Sequence, residues 1–187
     1  MLYTGNGDDG KTKLFACDQR LSKSSAIAEA LGSVDETNAL LGVLKLQGGE
    51  IPAALGLTYH DLLSDVQQDL FVIQAELAGA PNHMELSRVS KIEAWVNAIE
   101  KELPPIHSFF VSGGCELAAL SDFARTVSRR AERRVIAAME GEAGVDTGRP
   151  EAKTPLLAYL NRLSSLLYAL ARLANHRAGV SEEKPHY

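Results

Sequence analysis

Apolar residues recur at three- and four-residue steps in five long stretches of the 187-residue chain, a spacing typical of amphipathic α-helices. Ser24 or Ser25, Thr58 and Thr154 are suitable N-caps for three of these stretches. No stretch has the pattern that would predict a β-strand with confidence. The sequence therefore predicts an all-α bundle of five long helices. The predicted helices cover residues 24–47, 58–78, 87–103, 116–140 and 154–177.

The breaks between these stretches divide the chain into a short first segment, a helical region and a tail. Gly48 and Pro52 follow the first helical pattern, and Pro104 ends the third. A chain of this length supports one full core and leaves little room for a second, so we expect a single domain over 1–187. Within it we expect a glycine-rich segment at 1–22, a helical bundle at 23–178 and a flexible tail at 179–187.

The net charge, the apolar content and the cysteines indicate which kinds of ligand and cellular location to expect. The net charge is −5 and the sequence pI is about 5.5, whereas proteins that neutralise a nucleic-acid backbone usually carry a basic surplus. No apolar run approaches the length of a membrane span. Cys17 and Cys115 form no CxxC pair, and the five histidines show no metal-ligand spacing. We expect a cytoplasmic protein that binds neither nucleic acid nor membranes and holds no metal through its side chains.

The segment Phe123–Arg134, FARTVSRRAERR, concentrates positive charge on one side of a predicted helix. At about 100° per residue, Arg125, Arg129 and Arg133 fall in one narrow sector with Glu132, and apolar residues take the opposite side. Guanidinium groups give paired, charge-assisted hydrogen bonds to oxygens, so this face suits a phosphate-bearing ligand. A solvated face with internal ion pairs fits the same spacing. The helix alone leaves both interpretations open.

Residues 5–12, GNGDDGKT, match the letter pattern of a Walker phosphate loop. A Walker loop follows a buried strand, but only four residues precede this segment and the chain predicts no parallel sheet. Its chemistry still suits a polyphosphate, because glycines expose backbone N–H groups, Lys11 supplies a cation, and Thr4 or Thr12 a hydroxyl. A glycine-rich frayed terminus is the alternative.

Two further features lie outside the arginine helix. Asp35 falls at the edge of the first apolar stripe, where a half-buried carboxylate needs an arginine or a ligand as partner. The stretch 106–114, IHSFFVSGG, leads into the arginine helix, and it fits either a buried strand or an extended loop. Its adjacent Phe109 and Phe110 suit an apolar wall beside the cationic face, and they equally suit a core.

Six motifs follow one another along the chain: TGNGDDGKT, then Lys23 with AEALGSVDETNALLG, DLFVIQAELA, FVSGG, ARTVSRRAER and YLNRLSSLLYALAR. Together they resemble the trimeric ATP:cob(I)alamin adenosyltransferase family, over almost the whole chain. The resemblance implies a five-helix bundle with ferritin-like up-down packing that forms a homotrimer with active sites between subunits. It also implies that ATP, accompanied by Mg²⁺, gives its 5′-deoxyadenosyl group to the cobalt of the second substrate, cob(I)alamin, and that triphosphate is released.

The resemblance also implies roles for individual residues. Asp35 and Arg125 match an intersubunit salt bridge that positions cobalamin, and Phe109 matches an aromatic residue that displaces the lower axial ligand of cobalt. Together with Arg129, these residues would serve catalysis, and either Phe109 or Phe110 would face the corrin. The residues implied in ATP binding are Thr4, Gly5, Gly7, Asp8, Gly10, Lys11, Thr12, Lys23, Arg129, Glu132, Arg133 and Asn161.

The chain departs from the family pattern at four positions. Asn6 and Lys11 stand where threonine is usual, Ser112 replaces the proline of the glycine turn, and Ser165 replaces an aspartate of the last helix. Two other functions remain as alternatives: a helical ATPase or nucleotide sensor that uses the glycine loop, and a noncatalytic cobalamin carrier. A reductase and an adenosylcobalamin-dependent acceptor enzyme are further partners that the resemblance implies.

Overall fold

The computed structural model describes residues 2–15, 19–142 and 154–186, and five α-helices account for most of them. Each helix agrees with a predicted one to within two residues at either end, so the prediction of a five-helix, all-α fold is confirmed. Within the described ranges, no helix combines the length and the apolarity that crossing a bilayer requires. The helices are α1 (Ala26–Gly48), α2 (Tyr59–Leu77), α3 (Leu86–Glu102), α4 (Glu116–Glu142) and α5 (Pro155–Arg177).

Side-chain caps fix the first turns of three helices. The Ser25 hydroxyl accepts a hydrogen bond from the backbone of α1, and Thr58 forms a reciprocal capping box with Asp61 at the start of α2. Thr154 caps α5, whose first residue is Pro155, where the missing N–H costs nothing. These caps satisfy backbone donors that the helical hydrogen-bond pattern leaves free.

Polar contacts between helices fix their directions. Arg162 of α5 donates to Glu93 of α3 at 2.8 Å, and Arg177 donates to Glu102 at 2.6 Å. Helices α3 and α5 therefore run parallel. The contacts between the other neighbouring helices show that each of those pairs is antiparallel. The helices alternate in direction along the chain. We call the end where α1 begins the N end of the bundle, and the end where α5 finishes the C end.

The core lies between the apolar stripes of the helices, and α5 is the most enclosed of them. Most of its residues are buried, including Leu163, Leu167 and Leu170 from the predicted stripe. The predicted α2 stripe is likewise buried from Leu62 to Ile73. Packing of these faces supplies most of the hydrophobic stabilisation.

Two short strand pairs are additions that the sequence did not predict. Strands β1 (Lys11–Lys13) and β2 (Arg20–Ser22) pair antiparallel beside the N end, and β3 (Pro52–Ala54) pairs with β4 (Leu57–Thr58) at the C end. Strands of two or three residues are too short to show a periodicity of two in the sequence. The stretch 106–114 forms no strand and is an extended loop.

A buried carboxylate lies on α2. The Asp69 side chain is 1% exposed and accepts a hydrogen bond from the Tyr159 hydroxyl of α5 at 2.9 Å. Arg88 and Lys91 of α3 supply positive charge to the same carboxylate. A buried carboxylate is tolerated when it is both paired and hydrogen-bonded, so Asp69 joins three helices through polar contacts.

We predict that Tyr159→Phe lowers the free energy of unfolding by about 1 kcal/mol at neutral pH, because it removes a buried hydrogen bond to Asp69. Burial, with the nearby Asp69 carboxylate, also raises the pKa of the Tyr159 hydroxyl well above its usual range. A raised folded-state pKa contributes stability in full below about pH 10 and loses it as pH rises further. Denaturant titrations from pH 7 to 11 should show a shallower alkaline loss in the variant.

Tyr168→Phe is the matched control for this measurement, since no polar contact of the Tyr168 hydroxyl occurs in the described part of the chain and the ring contact with Arg172 would remain. We expect a change within about 0.5 kcal/mol. Equal losses in the two variants would contradict the role assigned to the Tyr159–Asp69 hydrogen bond.

Candidate functional site

The arginine segment of α4 divides into two sets. Arg130 donates to Glu36 of α1 at 2.6 Å, and the Arg134 Nε lies 3.5 Å from the Glu29 carboxylate. These two side chains tie the edge of α4 to α1, although exposed pairs of this kind add little stability. Ion pairs with a neighbouring helix therefore account for these two arginines.

Arg129 and Arg133 make no ion pair or side-chain hydrogen bond with any other residue that the structure describes. Both are exposed. Between them Glu132 accepts a hydrogen bond from the Asn161 amide of α5 at 3.1 Å, and the Asn161 oxygen accepts one from Arg162 at 2.8 Å. The predicted ligand face thus presents two uncommitted guanidinium groups beside a hydrogen-bonded carboxylate and amide.

Arg125 and Asp35, predicted to form a pair between subunits, do not meet within one chain. The Arg125 Nε lies 3.6 Å from Asp122 of the same helix, and this buried nitrogen has no hydrogen-bond partner. Asp35 accepts a hydrogen bond from Gln74 of α2 at 3.4 Å. We expected Asp35 to be half-buried, and that is wrong for the single chain, because the edge of the apolar stripe faces outward at this position.

The glycine-rich segment folds into a compact loop with Lys23. The Lys23 ammonium donates to the Gly7 carbonyl at 2.8 Å, and the Lys23 backbone N–H donates to the Gly10 carbonyl at 2.9 Å. Gly10 has a positive φ of 76°, which favours glycine. A Cβ at Gly7 would lie 2.8 Å from the Lys23 nitrogen, so a side chain at this position would displace the Lys23 ammonium. The glycine loop and Lys23 belong to separate sequence motifs, and the fold brings them into contact.

Arg20 is the organising cation of this loop, and the sequence did not identify it. Its guanidinium donates to both Asp9 oxygens, at 2.7 and 2.8 Å, and also to the carbonyls of Asn6 and Lys11. The hydrogen bond from Arg20 lowers the pKa of the Asp9 carboxyl. Because β1 pairs with β2 directly after the loop, no helix follows it as a Walker loop requires. The Walker interpretation is therefore excluded by the local fold.

The two adjacent phenylalanines of the 106–114 loop point in different directions. Phe109 is 77% exposed, whereas the Phe110 ring lies 5.5 Å from the Arg172 guanidinium carbon and lines a cavity with Leu103 and His176. Successive residues of an extended segment face opposite sides. In the single chain Phe109 is the ring that is free to contact a ligand, whereas Phe110 is partly buried beside Arg172.

A buried ion pair beneath this loop was also missed. Arg172 of α5 is 2% exposed and donates to Asp122 of α4 at 2.7 Å, while its guanidinium carbon lies 4.9 Å from the Tyr168 ring. The two partners are 50 residues apart, so no local spacing in the sequence indicates this pair. An arginine held between two aromatic rings and a carboxylate is a favourable buried arrangement.

The segment after α5, expected to be a flexible tail, contacts this loop. Glu182 lies 3.0 Å from the Arg172 Nε, and the Glu183 carbonyl accepts a hydrogen bond from the Val111 N–H at 2.8 Å. The tail therefore contributes to the surroundings of Phe110.

In the described ranges of the chain, no group of three or more histidine, cysteine, aspartate or glutamate side chains is placed to hold a metal ion. Mg²⁺ commonly binds through substrate phosphates with few protein ligands. The uncommitted arginines and the glycine loop suit phosphate groups of the kind that carry such an ion. Cys17 lies outside the described residues, and Cys115 is a free thiol.

The family model described as cobalamin adenosyltransferase matches residues 2–174. Among curated relatives, a corrinoid adenosyltransferase PduO from Salmonella typhimurium is 38% identical over 97% of this chain. The chain spans 53% of that relative, about half its length. A corrinoid adenosyltransferase from Bacillus subtilis is 35% identical, with 97% of this chain and 90% of the relative covered.

Solved structures with the same fold include variants of a PduO-type ATP:corrinoid adenosyltransferase from Lactobacillus reuteri. One, complexed with cobalamin and ATP, has a TM-score of 0.81 at 26% identity and full coverage of both chains. Another, complexed with ATP, has a TM-score of 0.79 at 27% identity, with 99% of this chain and 100% of that chain covered.

We predict different stability effects for the two phenylalanines. Phe110→Ala should lower the free energy of unfolding by about 2 kcal/mol, because it removes packing and the contact with Arg172. Phe109→Ala should change it by less than about 0.5 kcal/mol, because the ring is exposed. Urea titrations followed by circular dichroism would test this. Equal effects would mean that the two rings do not face opposite sides of the loop.

Proposed function

Because the chain belongs to the cobalamin adenosyltransferase family, we propose that it transfers the 5′-deoxyadenosyl group of ATP to the cobalt of cob(I)alamin. The products are adenosylcobalamin and triphosphate. The observation that carries the proposal is the division of the α4 arginines: Arg130 and Arg134 are paired with α1, whereas Arg129 and Arg133 have no partner among the described residues. Two aligned, uncommitted guanidinium groups suit phosphate oxygens.

The reaction requires positioning more than a protein nucleophile. The electron pair of cobalt(I) attacks C5′ of ATP, the new cobalt–carbon bond forms, and the C5′–oxygen bond breaks with its electrons leaving on triphosphate. Cobalt(I) is itself strongly nucleophilic, so the protein has to align the two substrates and stabilise charge on the leaving group. This accounts for a site rich in arginine and glycine.

The leaving group would be held by the glycine loop and the uncommitted arginines. In this proposal Thr4, Gly5, Gly7, Asp8, Gly10, Lys11 and Thr12 surround the triphosphate with Lys23. Arg129 and Arg133 bind it from α4, and the Glu132–Asn161 hydrogen bond holds the nucleotide side of the site in shape. Mg²⁺ would bind the phosphates and neutralise part of their charge.

We also propose that the protein is a homotrimer with its active sites between subunits. The separation of Asp35 from Arg125 within one chain supports this, because each would gain a charged partner from a neighbour. The buried, unpartnered Nε of Arg125 is a donor of the kind that a second chain or a ligand would satisfy.

Phe109 would face the corrin. Its exposed ring suits the lower face of cobalamin, where it would take the place of an axial ligand and keep water from the cobalt. Four-coordinate cobalt is easier to reduce, so this contact would assist formation of cob(I)alamin. A reductase would supply the electron, and an adenosylcobalamin-dependent enzyme would accept the product. With only two cysteines in the chain, we propose the reducing cytoplasm as the location.

The proposal is tested by mixing the protein with ATP, Mg²⁺ and chemically reduced cobalamin and following the corrin spectrum. We expect conversion to the alkylcobalamin with one triphosphate released per turnover. Orthophosphate release without cobalamin would favour the nucleotide sensor or ATPase instead. Tight binding of adenosylcobalamin without any cobalt–carbon bond formation would favour the carrier.

Arg129→Ala should reduce kcat/KM for ATP by about a hundredfold or more, since it removes a charge that stabilises the leaving group. The matched control is Arg134→Ala on the same helix, whose pairing with Glu29 places it outside the proposed site. Steady-state kinetics of both variants, with circular dichroism to verify the fold, make the comparison. Unchanged kinetics in Arg129→Ala would remove this residue from the site.

Asp35→Asn should raise KM for cobalamin more than KM for ATP, because the substitution weakens the proposed intersubunit pair near the corrin. An uncharged amide keeps the shape and the local hydrogen bonding with Gln74. The two KM values are measured with the other substrate saturating. Parallel changes in both would contradict the assigned role.

A further inference from the structure

Asn175 of α5 occupies an unusual place under the 106–114 loop. Its side chain is 2% exposed and both ends of the amide are engaged. The oxygen accepts a hydrogen bond from the Cys115 N–H at 2.9 Å, and the nitrogen donates to the Gly113 carbonyl at 2.9 Å. One side chain thus bridges both ends of the Gly113–Gly114 turn.

The backbone of the turn favours glycine at both positions, and Gly114 also packs closely against Asn175. Gly113 and Gly114 have φ of 130° and 101°, which favour glycine, and a Cβ at Gly114 would overlap the Asn175 amide. The Gly113 N–H also donates to the buried Asp122 carboxylate at 3.3 Å. The backbone of the turn is therefore held by α4 and α5 together.

The same amide connects the loop to the tail. The Asn175 nitrogen makes a second hydrogen bond, to the Glu182 carboxylate at 2.9 Å, and the next tail residue, Glu183, accepts from the Val111 N–H at 2.8 Å. The segment from Phe110 to Cys115 is consequently fixed at several points, of which Asn175 supplies two directly. Phe109 itself makes no such contact in the described chain and takes its direction from this neighbouring segment.

From these contacts we infer that Asn175 is a positioning residue for the corrin side of the site: it holds the Gly113–Gly114 turn and the tail so that Phe109 faces outward. The inference rests on the proposed function, in which Phe109 contacts cobalamin. Asn175 touches neither substrate and acts through the loop. An amide is required because only this group donates to two oxygens and accepts from an N–H at once.

The test is Asn175→Asp, which keeps the size of the side chain and removes both donors. The oxygen that replaces the amide nitrogen would face the Gly113 carbonyl and the Glu182 carboxylate without a hydrogen between them, so the loop should shift. We expect KM for cobalamin to rise about tenfold, with KM for ATP within about twofold of the parent protein. The spectrum of bound cob(II)alamin with ATP should show a smaller four-coordinate fraction, a signature that a purely structural role would not change.

Asn97→Asp is the matched control, since Asn97 is exposed on α3 and has no side-chain hydrogen bond with the described residues. It should leave both KM values and the spectrum unchanged. Gly114→Ala tests the same contact from the loop, where no helix is disturbed, and should reproduce the cobalamin defect even where Asn175→Asp fails to fold.

The outcomes separate the two proposals. A parent protein that forms no alkylcobalamin contradicts the proposed function itself. The role of Asn175 is overturned if the parent protein is active and either Gly114→Ala or a folded Asn175→Asp keeps the parent's KM for cobalamin and its four-coordinate spectrum. A parallel rise in both KM values also overturns it, because the defect would then reflect general disruption.

Discussion

The C end of the bundle depends on a buried charge pair. Arg172 and Asp122 are 2% and 3% exposed, and such burial is tolerated only when each group is surrounded by partners. Arg172 has the rings of Phe110 and Tyr168 against its guanidinium, and Asp122 accepts from the backbone of the 106–114 loop. The pair therefore joins α4 and α5 and also determines which phenylalanine turns inward. Leaving either charge without the other would cost more than the pair contributes.

The arginines of α4 also differ in whether a carboxylate pairs with them. Where an arginine faces α1, a carboxylate pairs with it, whereas on the proposed ligand face no carboxylate of the described residues pairs with Arg129 or Arg133. Asp69 is likewise partnered within the interior, since Tyr159 and two cations surround it. Arg129 and Arg133 thus differ from the other arginines of the described ranges, each of which forms an ion pair with a carboxylate.

The sequence predicted the helices well because their apolar stripes repeat locally, so Leu62 and Leu63 could be assigned to the core without knowledge of any other segment. It also placed Arg129 and Arg133 on one face. It did not show that Arg130 and Arg134 pair with carboxylates, because those partners lie on α1. Arg172, Asp69 and Asn175 were missed for the same reason: their partners lie many residues away, and no spacing records such contacts. Arg20 was not identified because its position depends on the pairing of two three-residue strands, which are too short to show a periodic sequence pattern.

Three helices of alternating direction, α1 to α3, lie between the glycine loop and Phe109 along the chain, so the loop and Phe109 are at opposite ends of the bundle. The glycine loop lies beside the N end, whereas Phe109 lies at the C end, and the 19 residues of α2 alone separate these ends by about 28 Å. That distance is far longer than three phosphate groups. If the loop holds the leaving group while Phe109 faces the corrin that is alkylated, the two must come from different copies of the chain. A defect in the loop of one copy would then silence the site that carries its neighbour's phenylalanine.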